Sequence, residues 1–418
     1  MSIGFACLSV GVPGTDFKGC VMKNAGEDRL KEVISQNLAA LENAIDYNSR
    51  NDIRLFRISS DIIPFGSSPV NRLAWQDIYL PELHRIGDKI RAAGMRVSMH
   101  PGQYTILNSP DESVVARAAE DLLYHTKFLD SLGTGPEHKI ILHIGGVYGD
   151  KEAAVLRFIA EYEKLSEGIR KRLVLENDEK SYNISDVLEI ARSVGAPTVY
   201  DNLHAAIHPS PHEASQSDWI RECGKTWAPQ DGQQKMHYSQ QAPGKHPGAH
   251  SESIGIDEFL DFYESVQGGN LDIMLEVKDK NLSAVKCINC TSRTAKIARL
   301  EVDWSRYKYL ILEKAPAIYK QIRELLKDRK SYPAIEFYHL VETAMREEIS
   351  PGNAENAALH VWGYFKKDAQ ANEKEQFLRI LSAYRRGESS AARYKKYLLR
   401  LARKYNQQYL LDSLYFYC

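Results

Sequence analysis

Five histidines and three carboxylates stand at or just beyond the ends of apolar runs. Arg96-Val97-Ser98-Met99 runs into His100, Ile140-Ile141-Leu142 into His143, Leu173-Val174-Leu175 into Glu176, Thr198-Val199-Tyr200 into Asp201, and Ile273-Met274-Leu275 into Glu276. A continuous apolar run with polar residues only at its end reads as a buried parallel strand that delivers a side chain to a site. His204, His237 and His250 add three more imidazoles. Imidazoles and carboxylates gathered at one rim are the donor set of a divalent-metal centre. Four imidazoles suffice for one ion; five with three carboxylates allow two or three. Hard donors of mixed N and O type favour Mn²⁺ or Zn²⁺ over Ca²⁺, and several carboxylates without a thiolate lean towards Mn²⁺ or Mg²⁺. Such a cluster suits phosphodiester hydrolysis, in which bound ions activate a water and neutralise the leaving oxygen.

The order of the runs suggests how the ligands divide. If neighbouring strand ends lie side by side, Glu176, Asp201, His237 and Glu276 converge on one ion, and Glu176 also bridges to an ion held by His100 and His143. Asp201 and His204, three residues apart beyond a strand, are expected to serve neighbouring ions across a turn. His204 and His250 then form a third site that lacks an anion. Lys235 is the candidate to complete it, because it lies two residues before His237 and so on the same side of that strand. Among metals it is expected as a carbamylated, anionic ligand; the other reading is a lysine that binds phosphate directly. Glu176, Lys235, His237 and Glu276 are the catalytic candidates. Gln103-Tyr104, in a turn held by Pro101 and Gly102, offers an amide and an aromatic ring for unpaired bases, or else packs the loop. Lys225, Trp227 and Lys245 are candidates to flank a phosphate backbone.

Eight strand segments alternate with helical segments to position these groups. Strands are expected at 3–8, 53–58, 95–99, 139–143, 172–176, 198–200, 234–238 and 271–276, and helices at 29–48, 75–93, 111–132, 150–171, 183–194, 213–223 and 256–265. Eight such units in about 290 residues predict a (β/α)₈ TIM barrel with its active-site loops at the carboxyl ends of the strands. From about residue 290 the strand-like runs stop. Helical patterns at 335–349, 355–369, 373–386 and 389–412 predict an all-helical C-terminal extension. The expected division is therefore a barrel domain over 1–290 and a basic helical accessory domain over 291–418.

Composition supports that division. The chain has 418 residues, 43% hydrophobic, with a formal net charge of −1. Residues 291–418 hold 24 Lys/Arg against 15 Asp/Glu, or +9, and residues 1–290 hold 30 against 40, or −10. The basic tail either touches a polyanion or shields the barrel's underside. Six cysteines show no framework spacing, and the single Cys287-x-x-Cys290 lacks the second pair a zinc site needs. No apolar run is long enough for a membrane span, and the first strand starts at once with no signal peptide ahead of it. A cytoplasmic, monomeric protein is expected.

Ser98-Met99-His100-Pro101-Gly102-Gln103-Tyr104, Leu142-His143-Ile144-Gly145-Gly146, Leu175-Glu176-Asn177-Asp178, Asp201-Asn202-Leu203-His204 and Pro247-Gly248-Ala249-His250 together resemble the UV damage endonuclease family over about residues 1–290. The resemblance implies ATP-independent nicking of damaged double-stranded DNA immediately 5′ to UV photoproducts, leaving a 3′-hydroxyl and a 5′-phosphate. It implies a Mn²⁺-type cluster and passes the ligand role to His100, His143, Glu176, Asp201, His204, His237, His250 and Glu276. Gln103 and Tyr104 correspond to the pair that fills the gap opposite the lesion. Ser68-Pro69 departs from the pattern where some relatives carry a histidine. The competing readings are an abasic-site endonuclease of the endonuclease IV kind, a sugar isomerase or epimerase on the same barrel, and a DNA-binding protein with structural metals.

Overall fold

The computed structural model describes residues 1–266 and 268–418. Short runs rich in branched and aromatic residues form eight strands: β1 (Ile3–Ala6), β2 (Leu55–Ile58), β3 (Arg96–Met99), β4 (Ile140–His143), β5 (Leu173–Glu176), β6 (Thr198–Val199), β7 (Gln234–Tyr238) and β8 (Leu271–Leu275). Every pairing among them is parallel, in the order β6-β5-β4-β3-β2-β1-β8-β7. The two ends of that order meet. Asp201, just beyond β6, forms a parallel bridge with His237 of β7, and the His237 amide donates to the Tyr200 carbonyl at 2.9 Å. The result is an eight-stranded parallel sheet nearly closed into a barrel, a TIM-barrel-like arrangement.

Alternation along each strand sets the layers inside the ring. Two residues below His143, Glu176 and Asp201 come Ile141, Val174 and Val199, which pack together as one fully buried layer. Beneath that layer Trp227 packs against the same three residues, and its indole N–H donates to the Thr198 carbonyl at 2.9 Å. A polar network covers the amino end of the ring. Arg96 pairs with Asp272 at 2.9 Å, Gln233 donates to Asp272 at 2.8 Å, and the Arg96 guanidinium lies 5.9 Å from the Trp227 ring centroid.

The helices follow the predicted order with two breaks. The span 75–93 divides into Trp75–Ile78 and Leu80–Ala92, where Pro81 restarts the helix at its first turn. The span 150–171 divides into Lys151–Lys164 and Glu167–Arg170, because the Ser166 side chain caps a new start by accepting from the Ile169 amide. Helix Asn202–Ile207, directly after β6, is an element the periodicity did not indicate.

Two compact units emerge, residues 1–9 with 14–285 and residues 10–13 with 286–418. The second is helical, built around helix Ile297–Lys314 and helices Pro351–Trp362, Ala371–Arg385 and Ala391–Lys404. Its core stacks Trp362 on Phe377 at 4.7 Å and holds Leu398, Leu401 and Tyr415. Among the described residues no helix is long and apolar enough to cross a membrane.

Candidate metal centre

Because each strand runs in the same direction, the residues that end them arrive at one rim. Glu176, only 1% exposed, is the centre of the arrangement. Its Oε2 lies 3.0 Å from His100 Nε2 and 3.4 Å from His143 Nε2, and its Oε1 is hydrogen-bonded to His237 Nδ1. His237 Nδ1 also lies 3.3 Å from Glu276 Oε1, which the Arg57 guanidinium binds from β2. Three groups of donor atoms lie within 4.8 Å of one another: His100, His143 and Glu176; Glu176, Asp201 and His204; Glu176, His237 and Glu276. Glu176 belongs to all three.

Asp201 and His204 fall in one donor group, together with Glu176. Asp201 caps helix Asn202–Ile207 by accepting from the His204 amide at 2.8 Å, and this first turn folds the imidazole back over the carboxylate. Asn177 holds the pair in place. It exchanges two hydrogen bonds with the Asp201 backbone, at 2.9 and 3.1 Å, and its carbonyl lies 2.9 Å from His204 Nδ1. Glu179 adds a carboxylate 3.7 Å from His204 Nε2. Neither Arg57 nor Glu179 figured among the sequence candidates. A charged residue inside the otherwise apolar Leu55-Phe56-Arg57-Ile58 was the available signal for Arg57.

The electrostatics are those of a site with crowded charge. Burial opposes ionisation of Glu176, but His237, His143 and His100 outweigh it and hold the carboxyl well below its usual range. Glu276 is held down in the same way, against burial, by Arg57 and then His237. Burial raises Asp201, and Glu176 and Glu276 add to that. Burial pushes His100 down to about 4, so its ring is neutral near pH 7. His204 is lifted to about 9, against burial, by Asp201 and Glu176.

Three polar atoms test whether divalent ions suit these residues. His237 Nε2, Asp201 Oδ2 and His143 Nδ1 are buried without a hydrogen-bond partner. Buried polar atoms in folded proteins are nearly always satisfied. Unsatisfied imidazole nitrogens and a carboxylate oxygen, within one cluster of N and O donors, form a donor set that suits divalent cations. The residues fit the group.

A sequence profile of the UV-endonuclease UvdE family matches residues 4–305. The chain belongs to the UvdE family. With its clustered metal-type ligands, it is a metal-dependent DNA endonuclease of the UV-damage type. A second profile, for proteins of unknown function designated DUF1722, matches residues 308–418. A UV DNA damage endonuclease of Clostridium perfringens is 37% identical over 412 residues, 97% of this chain and 96% of the relative. One from Bacillus cereus is 33% identical over 288 residues, 68% of this chain and 90% of the relative. The crystal structure of SacUVDE is 38% identical, covers 69% of this chain and 97% of its own, and superposes with a TM-score of 0.66.

The remaining candidates fall in different places in this UvdE-family fold. Lys235 is 2% exposed in β7, one layer beneath His237. Burial, then Arg96 and Arg57, hold its amine well below the usual lysine range, against the pull of Glu176 and Asp272. His250 stands on the loop after β7, bridged through its backbone to Gln241, and joins none of the three donor groups. Lys245 is exposed on the same loop. Gln103 and Tyr104 are exposed, Tyr104 by 69%, with the Tyr104 ring folded over Gly102 so closely that a Cβ there would lie 2.3 Å from it. The next residue anchors the turn, since Thr105 Oγ1 donates to the buried Asp121 at 2.7 Å.

Lys225 and Trp227 do not join the rim. They lie in the segment that leads into the start of β7, at the amino end of the barrel. There Lys225 is exposed and pairs with Glu222 at 2.6 Å, and Trp227 packs under the inner layer, so the structure places neither of these two phosphate-backbone candidates beside the donor groups.

Proposed function

We propose that this enzyme nicks duplex DNA immediately 5′ to UV photoproducts, leaving a 3′-hydroxyl and a 5′-phosphate, without ATP. The observation that carries the reading is the convergence of three donor groups on Glu176 at the same end of the barrel as an exposed aromatic turn. On this reading the barrel is a complete (β/α)₈ domain over 1–290, the helical segment 291–418 is an accessory domain, and the protein is a cytoplasmic monomer that associates with the nucleoid when on DNA.

Two or three divalent ions, Mn²⁺ in the first place and Mg²⁺ or Zn²⁺ otherwise, would be held by His100, His143, Glu176, Asp201, His204, His237 and Glu276, with His250 and Lys235 as the further candidate ligands. The chemistry such ions would supply there is a water of lowered pKa as nucleophile and neutralisation of charge on the scissile phosphate. The chain's own residues do the positioning. Arg57 fixes Glu276, and Asn177 fixes Asp201 and His204, so that ligands remain oriented as substrate enters. Lys235 acts as a carbamate: its neutral amine attacks carbon dioxide, an N–C bond forms, one proton leaves, and an anion is added beside His237. Burial beside the Arg96 and Arg57 guanidinium groups supports this, because it disfavours an ammonium more than Glu176 and Asp272 favour one.

Gln103 and Tyr104 fill the gap in the duplex at the lesion, and Lys245 lies along the backbone. Replacing Tyr104 with Ala should lower incision of photoproduct duplex roughly 5- to 150-fold, the equivalent of about 1–3 kcal/mol for one base stacked on one ring. The effect should be much smaller on a substrate whose lesion is already unstacked. Equal losses on both substrates would mean that the ring only packs the loop.

The deciding experiment is incision of end-labelled duplexes, undamaged, UV-irradiated and abasic, with Mn²⁺, Mg²⁺, Zn²⁺ or chelator. A metal-dependent cut 5′ to photoproducts is expected. Cutting confined to abasic duplex would move the enzyme to the endonuclease IV type of reaction, and no cutting of any duplex would overturn the reading.

A further inference from the structure

The C-terminal unit contains a groove of about 580 Å³ between helices Ala371–Arg385 and Ala391–Lys404. Its apolar floor includes Ile380 and Tyr397, and its walls carry Arg379, Arg393, Lys396, Arg400 and Arg403. All five cations are exposed, and among the described residues none is ion-paired. Other cations of these helices are used differently. Arg385 binds Glu355, Lys404 binds Glu373 at 2.7 Å, and Lys395 binds the fully buried Glu313 at 2.6 Å. A surface kept charged for solubility mixes both signs, yet no carboxylate occurs between Glu388 and Asp412.

The spacing is also that of a reader of repeated phosphates. Positions 393, 396, 400 and 403 recur at three and four residues, so they form one stripe about 15 Å long. Four cations over that length compare with about one phosphate per 3.4 Å on each strand of duplex DNA. The stripe is held still. Lys395, one residue from Lys396, pins the helix to Glu313 from its inner side, and the Arg400 guanidinium lies 4.8 Å from the Tyr397 ring centroid.

We propose that this groove is a second DNA-binding surface, which takes the sugar-phosphate backbone of the duplex without regard to sequence or lesion. Only the choice of duplex DNA over other polyanions rests on the endonuclease reading. Each phosphate contact should add about 0.9 to the slope of log affinity against log salt, or about 3.5-fold between 50 and 200 mM.

The test uses the full chain and an undamaged duplex, with affinity measured by fluorescence anisotropy across that salt range. R393Q/K396Q/R400Q should reduce the salt-dependent change about 40-fold and weaken binding more than tenfold at 50 mM. K366Q/K367Q, which removes two exposed charges outside the groove, should change it by less than the groove variant does per charge. Glu176→Ala should abolish incision yet keep the wild-type salt slope, so loss of the nuclease reading and loss of the groove reading are distinguishable. An unchanged slope in the groove triple variant, or equal effects per charge in both sets, would overturn the proposal. So would stronger competition by RNA or inorganic polyphosphate than by duplex DNA at equal phosphate concentration. A circular-dichroism melting curve matching wild type shows that the triple variant is folded, and Arg379→Gln with Arg403→Gln provides a second set if it is not.

Discussion

Glu176→Gln should reduce incision of UV-irradiated duplex by at least about 10³-fold, or about 4 kcal/mol of transition-state stabilisation, with little change in the folded structure. The carboxylate is the member common to all three donor groups, so one substitution weakens every ion position together. The amide keeps the shape and one acceptor oxygen but loses the charge that His100, His143 and His237 face. The layers of Ile141, Val174 and Val199 beneath it are untouched, which is why the fold should survive. Bound metal counted by mass spectrometry should fall alongside activity, and far-UV circular dichroism should not change. A variant that melts instead of merely losing activity would return the cluster to a structural role.

Lys235→Met should cost at least the 10- to 100-fold in metal affinity typical of groups that tune a metal site, with incision falling in parallel. Methionine preserves most of the buried volume, so packing loss is small. Lysine and carbamate predict different behaviour towards carbon dioxide. Wild-type protein prepared without bicarbonate should regain metal and activity when bicarbonate is added, and ¹³C-bicarbonate should give a carbamate carbon resonance that is absent from Lys235→Arg. Full activity of Lys235→Arg, with no such resonance, would establish instead a cation that binds phosphate directly.

Much of this site was legible in the sequence, for a specific physical reason. Parallel strands buried on both faces must be apolar until they end, so the first polar residue after each run announces the rim, as at His100, His143, Glu176, Asp201 and Glu276. What was hidden depends on three-dimensional context. Arg57 sits inside a strand, where a lone charge in an apolar run resembles a boundary, and only its pairing with Glu276, past the intervening β1, reveals its use. The Asp201–His204 pairing depends on a cap and one helical turn after β6, and no periodicity can appear in six residues. Trp227 and Lys225 had the right chemistry for a phosphate backbone, but a loop entering a strand lies at the opposite end from one leaving it. Pro81 and Ser166 broke helices whose apolar periodicity continued across the break.

Trp227 and the Arg96–Asp272–Gln233 network give the barrel a covered floor, and on the carbamate proposal this sets an order for the enzyme's maturation. Lys235 lies a layer below the rim, so on the carbamate proposal carbon dioxide would have to reach its amine before ions occupy the ligands above. Protein loaded with metal first would be trapped with the deepest ligand unfinished, and its specific activity would depend on the order in which gas and metal were supplied after synthesis.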